Sequence, residues 1–153
     1  MRLIPATVLA LALCAAPLHA ETRLKVMSFN IWGGGQNEGK GGEEPVAAIR
    51  AAGADVVGLQ ETRLESDPCT AESCPATGPS AARAIAEALG WHSYDQTTDN
   101  AALWAHAVIS RYPIGKASPN DLGVPLDVDG REVWIFNIHH DDEPYGPYQV
   151  MGI

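Results

Sequence analysis

Asp55–Glu61 reads DVVGLQE. Its core, VVGL, carries no charge and places apolar residues on both sides of an extended backbone. That is the pattern of a short strand buried on both faces, predicted over Asp55–Gln60, and it ends on a carboxylate. A strand covered on both faces needs neighbours on both, and the sequence on either side supplies them. Upstream, Pro45 at a first helical turn and Gly53 just past the end frame a helix over Glu44–Ala52. Before it, Gly33–Gly42 is a Gly-rich loop, and Arg23–Ile31 (RLKVMSFNI) alternates as a strand. Downstream, Ser80 caps a second helix running to Leu89 and closed by Gly90. Its residues Ala82, Ile85, Ala86 and Leu89 fall on one face. Trp91–Gln96 and Leu103–Ser110 read as further strands, the second stopped by Tyr112–Pro113. Leu122–Val128 and Arg131–His139 flank Asp129–Gly130, the strongest short hairpin signal in the chain. The order β-α-β-α-β-β-β-β predicts a layered α/β fold.

The chain has 153 residues, room for one domain. Its 46% hydrophobic content is that of a globular protein. A formal charge of −9 argues against nucleic-acid binding through a broad basic surface. It leaves open an enzyme that neutralises phosphate with a metal ion. Met1–Ala20 has Arg2, an apolar run from about Ala6 to Ala16 and a small residue before Glu21, the plan of a secretory signal peptide. The expectation is a secreted or periplasmic protein with no integral membrane segment once residues 1–20 are removed. Cleavage takes away Cys14 and leaves Cys69 and Cys74, both in the loop-like stretch Ser66–Pro79. Two cysteines in an exported chain suggest a disulfide acting as a local staple.

Three strands share a further property: each runs apolar and ends in a residue suited to phosphate or metal chemistry. The first ends at Asn30, the second at Glu61, and the last at Asn137 and His139. Active sites of layered α/β folds collect where strands give way to loops. A carboxylate is a hard oxygen ligand for Mg²⁺, which takes one or two protein carboxylates and keeps several waters. An Asn amide donates to phosphate oxygens, and a His moves a proton or stabilises a charged oxygen. Each residue also has an ordinary reading. Asn forms turns, Glu after a strand is commonly solvated, and His139 opens the polar run His139–Asp142. His106, inside Leu103–Ser110, is either a half-buried hydrogen-bonded His or one that opens on the site. Jointly the residues fit metal-assisted phosphoester hydrolysis.

Four stretches, LKVMSFNIW (Leu24–Trp32), DVVGLQE (Asp55–Glu61), AVISRYPI (Ala107–Ile114) and VWIFNIH (Val133–His139), stand in the order and spacing of one family. Together they resemble the endonuclease/exonuclease/phosphatase superfamily. The resemblance implies a four-layer α/β sandwich, two packed β-sheets flanked by helices, with Mg²⁺ (or Mn²⁺) at its mouth. It implies that Glu61 binds the metal and Asn30 assists in ordering metal and phosphate. It implies that His139 contacts the scissile phosphate, with Asn137 beside it on the strand. Ser110 and Arg111 match a recurrent Ser-Arg, and Arg111 and His106 are candidate substrate contacts. Gly33–Gly35 and Pro144–Gln149 resemble an exported bacterial subgroup. The family's Gly-Asp-x-Asn and terminal Asp-His motifs occur nowhere in the sequence. Residues 21–153 therefore look like the N-terminal portion of the domain, its second half absent and this chain alone inactive. The expected parent is an exported metal-dependent phosphoesterase acting by in-line water attack. Its substrate would be a nucleic acid, a phospholipid headgroup or a small phosphate ester. The alternative is a non-catalytic binding or decoy module, or a half-domain that needs a partner chain.

Overall fold

The computed structural model describes residues 22–35, 42–63, 79–96 and 105–139. The expected signal peptide, Cys69, Cys74 and Pro144–Gln149 lie outside these residues. Six strands and two helices follow in the expected order: β1 (Val26–Asn30), α1 (Glu43–Ala52), β2 (Val56–Thr62), α2 (Ala81–Leu89), β3 (His92–Gln96), β4 (Ala105–Ser110), β5 (Gly123–Val128) and β6 (Arg131–Phe136). Four strands form one sheet in the order β1-β2-β4-β3, and β5 and β6 form a second. β1 and β2 are parallel, as the crossover through α1 requires, while β4 runs antiparallel to both β2 and β3.

The decisive strand behaves as its sequence demands. Val57 and Leu59 face the helices and pack with Ile49, Ile85 and Ala86. Val56 points the other way, into a core shared with Val108 of β4 and Val124, Leu126 and Val128 of β5. Period-two alternation thus splits DVVGLQ between two cores, and the result is three layers: helices, large sheet, small sheet. These are three of the four layers expected.

Local chemistry sets the helix ends. Ser80 Oγ accepts from the Arg83 N–H at 3.1 Å, so one orphan donor at the start of α2 is satisfied. Gly53 and Gly90 close the two helices in the left-handed conformation. β1 and β6 are each at least three residues shorter than the sequence suggested. β1 begins at Val26 rather than Arg23, because the Lys25 N–H turns to the Asp55 carboxylate. β6 ends at Phe136, where Asn137 turns inward and takes side-chain bonds in place of a ladder.

Candidate functional site

The carboxyl end of β2 and the ends of β1 and β6 meet at one edge of the sheets. Glu61 is the extra residue of a β-bulge: Gln60 pairs with His106 and Thr62 with Ala105, leaving Glu61 between them. Its φ is 55°, left-handed and unfavourable for a residue with a Cβ. Neighbouring backbone holds it there. Ile31 N–H donates to Gln60 O at 3.0 Å and Gly34 N–H to Glu61 O at 2.7 Å. The second bond depends on a left-handed turn through Trp32, Gly33, Gly34 and Gly35, with φ of 47°, 65°, 73° and 74°. At Gly35 glycine is required twice over, because an added Cβ would lie 2.7 Å from Pro45 Cγ.

Asn30, at the end of β1, reaches the same carboxylate. Its Nδ2 donates to Glu61 Oε1 at 2.6 Å, and its Oδ1 accepts from the Trp32 N–H at 2.9 Å. The amide is therefore oriented from both ends. His139 Nε2 stands 4.0 Å from Glu61 Oε1. His106 meets His139 edge to face, with ring centroids 5.9 Å apart and planes at 80°. Burial pushes the His106 pKa below 6.5, and the neighbouring His139 adds to the shift. The His106 Nδ1 is buried without a hydrogen-bond partner among the described residues.

Asn30, Glu61, His139 and His106 are thus brought together. Asn137 and Arg111 are placed otherwise. Asn137 is only 6% exposed and enters the interface between the sheets. Its Nδ2 faces Leu59 O (2.8 Å), Gln96 Oε1 (3.0 Å) and Ala107 O (3.1 Å), and its Oδ1 accepts from Gln60 Nε2 at 2.6 Å. Its hydrogen-bonding capacity is spent inside the protein, so its work is to tie β6 across β2, β4 and β3. Arg111 leaves the site altogether. It pairs with Asp55 at 2.8 Å, at the opposite end of β2 from Glu61, about 20 Å away at strand rise.

The interface around Asn137 involves residues that sequence reasoning passed over. Gln60 and Gln96 are buried polar partners of Asn137. Gly58 makes their meeting possible, since a Cβ there would lie 2.6 Å from Asn137 Oδ1. The signal was present as a glycine and a glutamine inside an apolar strand.

Among the described residues no group of three His, Cys, Asp or Glu side chains converges as a ready cation cage. The donor set still suits a hard cation held mostly by water: one half-buried carboxylate, fixed by an amide, with an imidazole beside it. No helix of the described residues is long and apolar enough to cross a membrane.

No protein-family model matches the chain, and no curated protein does. Solved structures do. An endonuclease/exonuclease/phosphatase family protein from Leptotrichia buccalis aligns over 81% of this chain and 57% of its own, at 14% identity and a TM-score of 0.50. An endonuclease/exonuclease/phosphatase from Beutenbergia cavernae aligns over 79% of this chain and 39% of its own, at 22% identity and a TM-score of 0.52. The chain therefore spans between about two fifths and three fifths of the length of these two structures.

Proposed function

The chain has part of the endonuclease/exonuclease/phosphatase fold, and on that premise we propose that it comes from an exported, Mg²⁺- or Mn²⁺-dependent phosphoesterase. The observation that carries this reading is the convergence of Asn30 and His139 on one oxygen of Glu61. Glu61 would hold the cation, which when bound neutralises charge on the phosphate oxygens. The Asn30 amide fixes the carboxylate, so that little side-chain freedom remains to be lost on binding. Protonated, His139 donates to a phosphate or leaving oxygen from a position already beside the metal carboxylate. His106 packs against its ring and limits the orientations that ring takes. No described residue is assigned as base for the attacking water, so turnover by this chain alone is expected to be slow.

Calorimetric titration with Mg²⁺ and Mn²⁺ tests the reading. The wild-type chain is expected to bind one of them, and Glu61→Ala to lose that binding with its fold intact by circular dichroism. Equal affinity in the two proteins would remove Glu61 from the metal site and the proposal with it.

A further inference from the structure

His106 stands at the mouth of the two sheets with part of its hydrogen-bonding capacity unspent. Ala107 and Ile109 of β4 pack with the helices, and Val108 packs in the core between the sheets. Alternation therefore puts His106, two residues before Val108, on the inter-sheet side. β4 runs antiparallel to β2, so this position falls opposite Gln60, next to the bulged Glu61. On its other side it falls opposite Gln96 of β3. Neither glutamine serves it. Gln60 Nε2 donates to Ser28 Oγ, Gly58 O and Asn137 Oδ1. Gln96 Nε2 turns to the carbonyls of Asp121, Leu122 and Asn137, and its Oε1 accepts from Asn137. The Nδ1 of His106 is thus enclosed with no hydrogen-bond partner among the described residues.

A neutral imidazole carries its proton on one nitrogen, and the surroundings decide which. A proton on Nδ1 would bury a donor with nothing to receive it, the costlier kind of orphan. On Nε2 the proton lies on the opposite edge of the ring. His106 is half-buried, and with Nδ1 inside, that opposite edge is the one that opens outward. The ring meets His139 edge to face, 5.9 Å between centroids, and His139 Nε2 stands 4.0 Å from Glu61 Oε1. An N–H donor therefore borders the same small space as the proposed metal carboxylate. Resting on the phosphoesterase reading above, we propose that His106 donates through Nε2 to a phosphate oxygen of the bound ester. Its contact is separate from that of His139. His106 holds a phosphate oxygen as an uncharged donor, and His139 is left to serve the leaving oxygen.

The test is heteronuclear NMR of the histidine ring nitrogens in the full chain at neutral pH, with inorganic phosphate in MgCl₂ as the probe. Before phosphate is added, His106 is expected to show a bare Nδ1 and a protonated Nε2. Phosphate is expected to shift the His106 Nε2 resonance. His106→Phe keeps an aromatic ring beside His139 and removes the donor. It should weaken phosphate binding about tenfold, the loss of one hydrogen bond to a charged group. His106→Gln returns a donor and should recover part of that loss, a rescue that a purely structural role would not give. In the wild-type chain, a proton on Nδ1 or an Nε2 resonance that phosphate leaves unmoved would overturn the contact, whatever the variants do. Phosphate affinity unchanged in a folded His106→Phe would overturn it as well. Failure of the metal reading shows elsewhere, as Mg²⁺ affinity that Glu61→Ala leaves intact. The His106 contact is then judged by the same phosphate titration in buffer without metal.

Discussion

Glu61 shows how one residue can serve a site at the expense of the fold. Its left-handed backbone costs about 1 kcal/mol for a residue with a Cβ, and the bulge that imposes it also turns the carboxylate toward Asn30 and His139. Strain of this kind persists where the surroundings over-determine it, here through the Gly34 N–H bond to Glu61 O. Glycine accepts the same backbone without penalty. Glu61→Gly is therefore expected to raise stability in urea denaturation by about 1 kcal/mol while removing the carboxylate proposed to hold the cation. A destabilised Glu61→Gly would mean that the carboxylate contributes more to folding than its conformation costs. Sequence showed that a carboxylate ended an apolar strand. It could not show the bulge, because strand propensity is blind to an unpaired residue opposite a partner strand.

At the scale of elements, boundaries follow side-chain bonds as much as propensity. β6 stops three residues short of its apolar pattern because Asn137 prefers the carbonyls of β2 and β4. β3 is joined to the loop before β5 by Tyr94, whose hydroxyl donates to Asp121 Oδ1 at 2.6 Å. That bond, with burial and the charge of Asp121, pushes the Tyr94 pKa up to about 12 from 10.0. The folded chain keeps this proton where the unfolded chain has lost it, so the sign is set. The contribution is complete below pH 10 and is lost as pH rises toward about 12. Denaturation across this range should show stability falling with pH, and Tyr94→Phe should flatten that part of the profile. A profile unchanged in Tyr94→Phe would show that other groups govern alkaline unfolding.

For the molecule as a whole, the union of two sheets rests on a small polar cluster inside an apolar interface. Asn137 binds the side chains of Gln60 and Gln96 and the backbone carbonyls of Leu59 in β2 and Ala107 in β4, and Gly58 leaves it the space. Asn137→Ala removes the partner of Leu59 O, Ala107 O and the two glutamines, all buried, and is expected to cost about 3 kcal/mol by chemical denaturation. A loss under about 1 kcal/mol would mean that water replaces the amide and that apolar packing alone joins the sheets. The outlines of this fold were legible in the sequence because they rest on local signals. Alternation, caps and the Asp129–Gly130 turn placed all eight described elements in order, and strand-end polarity singled out Asn30, Glu61 and His139. The chain alone could not separate Asn137 from His139, two residues apart at the end of one apolar run, or from Arg111 at the end of another, since polar residues at strand ends look alike until the partner sheet is present. Which polar side chain is spent on internal hydrogen bonds, and which is left facing solvent beside a carboxylate, depends on contacts between residues as far apart in sequence as Gln60 and Asn137. Such long-range pairing exists only once two sheets have packed, and that is why tertiary structure decided it.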